Sequence, residues 1–312
     1  QVAFHNDSEA IPIARANGIT TVAATPGGGL LGGQIAVMNL DGFTWEESTV
    51  SPSAGVSFQF PRIGGGGRGG GGRGQPQDRS YDDLKKERDA QLDRLARLLD
   101  DARAYDKATG PNRSRDLTLE SLVPVVGKRA PLVTRVNNEH DLRDAIAFAD
   151  RAGVRIVVAA PPAEAALAAS LLKEKNVPVI LLDVLSLPAR PDVPHQANYS
   201  AAADLVKVGV KIAFAVPSET NARQLPFHAA ESVAWGLSRD EALKALTINA
   251  AEILGVSDRV GSIQPGRIAN LIVSKGDPLE ARTTFTHVII AGRDVGMDTR
   301  QLALYDRYWK RQ

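Results

Sequence analysis

Short apolar runs rich in β-branched residues alternate along most of the chain with stretches whose apolar positions recur every three or four residues. The runs Ile19–Ala24, Ile35–Leu40, Pro131–Val136, Arg155–Ala160, Val177–Leu182 and Val210–Val216 are apolar almost throughout. Strands covered on both faces read this way, whereas half-exposed strands alternate. Val56–Phe60 adds a further candidate strand. Glu139–Ala152 places Leu142, Ala145, Ile146 and Ala149 on one helical face and ends at Gly153, a helix terminator. Pro162–Lys175, rich in Ala and Leu, reads as another helix. Strand following helix in this manner predicts βα units stacked around a parallel sheet.

Two regions depart from that rhythm. Gly64–Gly74 reads GGGGRGGGGRG and holds nine of the chain's 28 glycines. It has much backbone entropy to lose and nothing to bury, so a flexible insert over 64–79 is expected. Ser80-Tyr81-Asp82-Asp83 then has the form of a capping box. It opens an amphipathic helix over 80–107, whose stripe of Leu84, Leu92, Leu95, Leu99 and Ala102 is narrow enough to suggest an exposed appendage. After Leu254 the helices stop. Turn chemistry at Ser262–Arg267 and Asp277-Pro278 separates the apolar runs Ala269–Val273 and Thr286–Ala291, which predict a small antiparallel unit. A helix over Thr299–Lys310 follows. The expected division is therefore 1–254 and 255–312.

Composition narrows the function classes. The formal net charge of +1 gives no global field toward nucleic acid or an anionic membrane. Absence of cysteine excludes disulfides, thiolate metal sites and a cysteine nucleophile. No stretch reaches the roughly 18 apolar residues of a membrane span. Gly27–Gly33 follows a strand but lacks a Lys-Ser/Thr ending and a dinucleotide fingerprint, so it reads as a glycine-rich loop. No G-x-S-x-G elbow is present. Residues Arg62–Arg115 carry 13 basic and 9 acidic side chains, with no aromatics within the glycine run to stack on bases. A nucleic-acid partner is disfavoured, while a small-molecule ligand and a homo-oligomer stay open.

One stretch carries a more specific signal. Ala242–Glu280, ALKALTINAAEILGVSDRVGSIQPGRIANLIVSKGDPLE, resembles the C-terminal signature of the amidohydrolase superfamily, the metal-dependent hydrolases related to imidazolonepropionase. Asn137–Ala145, Asn221-Ala222-Arg223 before Leu225-Pro226, and Gly18–Val22 after Ala14–Asn17 are similar to the same family. The resemblance covers nearly the whole chain outside the glycine-rich insert. It implies an α/β fold, a (β/α)₈ TIM-like barrel with a small β-sandwich. The family's first barrel strand and N-terminal sandwich strands would lie before Gln1. It also implies hydrolysis of carbon–nitrogen bonds other than peptide bonds. In the family one or two divalent metals, zinc by precedent, acidify a bound water and polarise the scissile carbonyl while an Asp takes the proton.

The family's ligands are a His-x-His pair on the first strand, in some members a carboxylated Lys, one His each on the fifth and sixth strands, and an Asp on the eighth. The pair falls upstream of Gln1. By resemblance Asn39 takes the lysine position, and Arg135 the first single histidine. Pro161 or Pro162 takes the second, and Val216-Pro217-Ser218 the aspartate. Arg has a permanent positive charge and no lone pair for a metal. His5, His140, His195, His228 and His287 contain no i, i+2 or i, i+4 pair, and packing or surface roles are expected for them. No metal cofactor is therefore expected from this chain. The residues left at strand ends are Asn39, Arg135, Asn137, Asp183, Ser218, Glu219, Asn221 and Arg223. Arg135 and Arg223 are fitted to grip a carboxylate, or alternatively to pair with Asp183 and Glu219 in a structural network. Two readings follow: a hydrolase by descent, and a non-catalytic barrel binding a small anion or a protein partner. Export is preferred to a cytoplasmic address, from relatives that often carry signal peptides.

Overall fold

The computed structural model describes residues 1–63, 80–108, 114–188 and 190–309. The insert 64–79 lies outside them. Seven strands lie side by side in chain order: β1 (Thr21–Ala24), β2 (Leu31–Asn39), β3 (Thr49–Gln59), β4 (Leu132–Arg135), β5 (Ile156–Ala160), β6 (Val179–Leu182) and β7 (Ile212–Ala215). β2 pairs antiparallel with both β1 and β3, and β3 to β7 are parallel. Hence β1 and β3–β7 point one way and β2 alone points back.

The first half of β3 was not legible as a strand, because Thr49–Gly55 is polar and carries Pro52. It holds through antiparallel pairing with β2, with register shifts between Ile35 and Val37 that accommodate the proline at an irregularity. Its second half pairs parallel with β4, Val56 opposite Leu132.

Helices flank the sheet. α1 (Ala10–Ala16) precedes β1, α2 (Trp45–Ser48) precedes β3, and α3 (Tyr81–Lys107) and α4 (Leu117–Val126) lie between β3 and β4. α5 (Glu139–Ala152), the short pair α6 (Pro162–Leu167) and α7 (Ala169–Glu174), and α8 (Ala197–Lys207) make the crossovers β4 to β7. α9 (Leu225–Ala234), α10 (Arg239–Leu246) and α11 (Ile248–Ile253) follow β7. Pro162–Lys175 is thus two helices, parted at Ala168, whose ψ of 13° leaves the helical range. None of the described helices is long and apolar enough to cross a membrane.

Alternation along the parallel strands divides two cores. Leu132, Ile156, Val158, Val179, Leu181, Ile212 and Phe214 face the helices in the main core. Ile35, Val133, Val157 and Ala213 share a separate cluster with Ile253 of α11. Residues of β2 and β7, at opposite sides of the sheet, meet in that cluster only because the sheet curls into a half-barrel, with α11 plugging its inner face.

α3 corrects the reading of an appendage. Its N-cap is the expected one, Ser80 Oγ accepting from the Asp83 N–H. Its stripe, however, is buried in the main core: Leu92, Leu95, Leu99 and Ala102 share it with Phe60, Leu122, Val125 and Phe148. α4, which carries Pro124 and gave no clear helical pattern, lies along it, and Arg88 bonds Asp144 of α5 at 2.6 Å.

The C-terminal part forms one antiparallel sheet of β8 (Leu271–Ser274), β9 (Phe285–Ile290) and β10 (Arg293–Val295), followed by α12 (Arg300–Tyr308). The described residues give this unit a single layer of strands. Val288 and Ile290 share a core with Ile11 and Ala14 of α1. The sheet is therefore fastened to the start of the chain rather than standing apart.

Candidate functional site

Parallel α/β sheets present ligands at the carboxyl ends of their strands. Here that rim is formed by the ends of β1 and β3–β7 and by the β1–β2 hairpin. The glycines from Gly27 to Gly33 build that hairpin, and one of them is compelled: a Cβ on Gly32 would stand 2.3 Å from the Pro26 carbonyl oxygen. The hairpin is laced to its neighbours, since Leu30 O accepts from Gln59 N (3.0 Å) and Gln59 Nε2 donates to Arg135 O (3.3 Å).

Arg135 and Asn137 stand two residues apart at the tip of β4, spaced for the same face of an extended chain. The Arg135 side chain is exposed and has no hydrogen bond or ion pair with a described residue. Asn137 Nδ2 is buried and lacks an acceptor among the described residues. Both are donors without acceptors. Asp183 ends β6 in the left-handed backbone region (φ 56°), its N–H donating to Ala215 O at 3.1 Å. Ser218, Glu219, Asn221 and Arg223 belong to a short 3₁₀ turn, Glu219–Gln224, that follows β7 and packs on α1. Ser218 Oγ bonds Thr220 Oγ1 (2.9 Å), and Glu219 and Arg223 are exposed.

Two expectations change. Asn39 is not at this rim. Because β2 runs against its neighbours, its carboxyl end lies where β3 begins, with Met38 paired to Thr49. There Asn39 is 5% exposed, and its Oδ1 accepts from Thr21 Oγ1 (3.2 Å) and Asn270 Nδ2 (2.7 Å). Asn270 in turn accepts from Ala291 N (2.8 Å), so the knot ties the two sheets together. A cavity of about 270 Å³ beside it is lined by Asn6, Arg15, Asp41 and Ser48 among others. Secondly, no ion pair among the described residues joins Arg135 or Arg223 to Asp183 or Glu219. The alternative of mutual pairing is thus not formed among the described residues, even though Glu219 and Arg223 share one turn.

What the sequence did not reveal is a buried polar set behind the rim. Asn198 of α8 is 2% exposed; its Oδ1 accepts from Ala163 N (3.0 Å), serving the open start of α6, and its Nδ2 donates to Ser186 O (2.9 Å). Glu164, also buried, accepts from Glu139 N at 2.9 Å, and Arg190 approaches its other oxygen at 3.7 Å. His228 of α9 is 1% exposed and accepts from Val184 N at 3.0 Å through Nδ1. Burial holds its pKa below the ordinary imidazole value, against the opposing pull of the Asp183 charge. Burial also raises the Asp141 carboxyl at the start of α5, which Arg62 and Arg88 oppose. His228 was readable in principle: with Leu225, Ala229 and Ser232 it keeps helical spacing on the face that α9 turns inward. Asn198→Ala is expected to destabilise the protein by about 1–3 kcal/mol, because the Ala163 N–H is left buried without an acceptor. Urea denaturation checks this, and a loss under about 0.5 kcal/mol, the scale of an ordinary surface change, would remove Asn198 from that role.

The other histidines do not converge. His5, His140 and His195 are exposed, the last beside the Trp235 ring (6.5 Å), and His287 bonds Asp294 at 2.7 Å on β9 and β10. Among the described residues, no three of His, Cys, Asp and Glu come together in a way that would hold a metal ion.

The family model described as the amidohydrolase family matches residues 127–295, just over half of the chain. The chain belongs to the amidohydrolase family. The matched stretch contains β4–β7 and the whole C-terminal sheet. A solved amidohydrolase of Thermotoga maritima extends the likeness to the N-terminal strands: it is 25% identical, superposes with a TM-score of 0.77, and covers 94% of this chain and 76% of its own. Sequence likeness to curated relatives is shorter. An imidazolonepropionase of Flavobacterium johnsoniae is 35% identical over 81 residues, which is 25% of this chain and 20% of that enzyme. An adenine deaminase of Rubrobacter xylanophilus is 33% identical over 84 residues, 27% of this chain and 14% of that enzyme. The chain thus matches a fifth or less of these two relatives' lengths.

Proposed function

We propose that this amidohydrolase-family chain carries the hydrolase scaffold, acting by descent on carbon–nitrogen bonds outside peptides, with strand tips that no longer hold a divalent metal. In this reading the seven strands are part of a (β/α)₈ barrel and β8–β10 are strands of the family's β-sandwich. The observation that carries it is Arg135 at the tip of β4, exposed and unpaired among the described residues, with the buried Asn137 N–H₂ beside it. A metal site needs lone pairs, and Arg135, at the position of the family's first single histidine, offers a fixed positive charge instead; beside it Asn137 holds a buried N–H₂ with no acceptor among the described residues. Such a pair does not fit a cation and suits a small anion, foremost a carboxylate gripped by the guanidinium.

Elemental analysis of the purified protein, with and without added zinc or manganese, tests the first part. Far less than one ion per chain is expected, with no hydrolytic activity gained on metal addition. One ion per chain held by residues of this chain overturns the proposal. For the second part, titration with a panel of small carboxylates should find binding that Arg135→Ala weakens about ten- to a hundredfold, the roughly 1.5–3 kcal/mol of a charged hydrogen bond. A carboxylate that binds wild type and Arg135→Ala equally would dismiss Arg135 as the anchor.

A further inference from the structure

The segment Val184–Pro188 leaves the rim directly after β6; Val184 is buried in the main core, and the residues after it are held by hydrogen bonds to side chains and to the Asp183 carbonyl. Ser186 donates through N (3.0 Å) and Oγ (2.7 Å) to the carbonyl of Asp183, and Asn198 Nδ2 holds Ser186 O. Leu185 and Leu187 meanwhile point to solvent, 41% and 76% exposed. Besides the packing of the Val184 side chain, the segment is fastened by the Val184 N–H to His228 Nδ1 bond of 3.0 Å.

That bond fixes the protonation state of the ring. A backbone N–H can only donate, so Nδ1 carries the lone pair and Nε2 carries the hydrogen. Nε2 is itself buried, with no partner among the described residues. A second proton therefore has one place to go, the nitrogen already facing the Val184 N–H. Protonation would set donor against donor at 3.0 Å on a buried ring, and that arrangement cannot persist.

We propose that His228 is a proton-operated latch on the rim: neutral, it fastens Val184–Pro188 to α9; protonated, it releases that segment. Among the described residues Asp183 is the charged group that acts on the ring, and it favours the proton. The charges of the elements packed on α9 are exposed or paired elsewhere: Asp204 and Lys207 on α8, Glu219 and Arg223 on the 3₁₀ turn and Asp240 on α10 are exposed, Arg239 of α10 pairs with Asp277, and Lys244 with Glu241 at 2.6 Å. On α9 itself Glu231 is engaged by Trp235 Nε1 at 2.9 Å. Burial disfavours the charged ring, so its folded pKa lies below its unfolded one. The latch is accordingly fully closed above the ordinary imidazole pKa of about 6.5 and loosens as the pH falls beneath it.

Amide hydrogen exchange of Val184–Leu187, corrected for intrinsic rates, tests this on the full chain between pH 7.5 and pH 5. Opening is expected to rise by about tenfold for each pH unit below about 6.5, while amides of β4 and β5 keep their protection. His228→Asn places an uncharged acceptor where Nδ1 stands, and should make the same amides indifferent to pH. Wild-type protection that does not change with pH overturns the proposal, as does an equal loss in H228N or a loss shared by the core strands. Should H228N not fold, the wild-type ring can be followed by NMR instead. Its titration must coincide with the shift of the Val184 amide, and independent midpoints would also overturn the latch.

Discussion

Leu99→Ala should lower the stability of this protein by about 2–5 kcal/mol, the range for removing a fully buried leucine. Leu99 is 0% exposed, on a helix whose composition is dominated by charged residues. Its weight comes from company: Leu95 and Ala102 on the same stripe, Leu122 and Val125 on α4, Phe148 on α5. Deleting three carbons there forfeits their transfer from water and leaves a cavity that the curled sheet and its helices can only partly close. Guanidinium denaturation monitored by circular dichroism measures the change, with Arg97→Ala as control. Arg97 is exposed on the same helix and should shift stability by no more than about 0.5 kcal/mol. If Leu99→Ala were as mild as the control, α3 would be an ornament on the fold and its burial in the main core would be mistaken.

The second large effect falls on the turn that betrays the family. Gly261→Ala is expected to cost about 3 kcal/mol, from two sources that can be separated. The backbone there has a φ of +98°, which any side chain resists at roughly 1–2 kcal/mol. An added Cβ would also stand 2.8 Å from Ala251 Cβ and 3.1 Å from the Ile248 Cα, against the helix that plugs the half-barrel. Overpacking of that kind costs about a further 1–3 kcal/mol. Gly266, in the same turn at φ +86°, has nothing within 4 Å of a Cβ, so Gly266→Ala should show the conformational cost alone. Equal losses at the two positions, read from denaturation midpoints, would mean that close approach of α11 plays no part. The glycines of G-S-I-x-P-G are thus required for different reasons, Gly261 by contact as well as conformation and Gly266 by conformation alone.

Sequence reading succeeded where a single periodicity decided the outcome. β5 and α5 were legible almost to the residue because a run of buried β-branched residues, or an apolar stripe closed by Gly153, permits little else. It failed where an element owes its existence to a neighbour. Thr49–Gly55 becomes strand only because β2 lies beside it, and α4 tolerates Pro124 because α3 and β3 cover it. Among the rim residues, Arg135 and Asn137 could be placed from strand position alone. Asn39 could not, since the same string of residues gives no sign that its strand runs backwards.

The linear order of residues determined the family and the alternation of strand and helix. Those are local or register properties, carried by side-chain type and spacing. Only the folded chain decided which strand ends share a rim, that α3 is core, and that Asn198 and His228 lie buried behind the tip of β6. Each of these depends on contacts between residues far apart in the chain, and the energy of such contacts has no counterpart in local pattern.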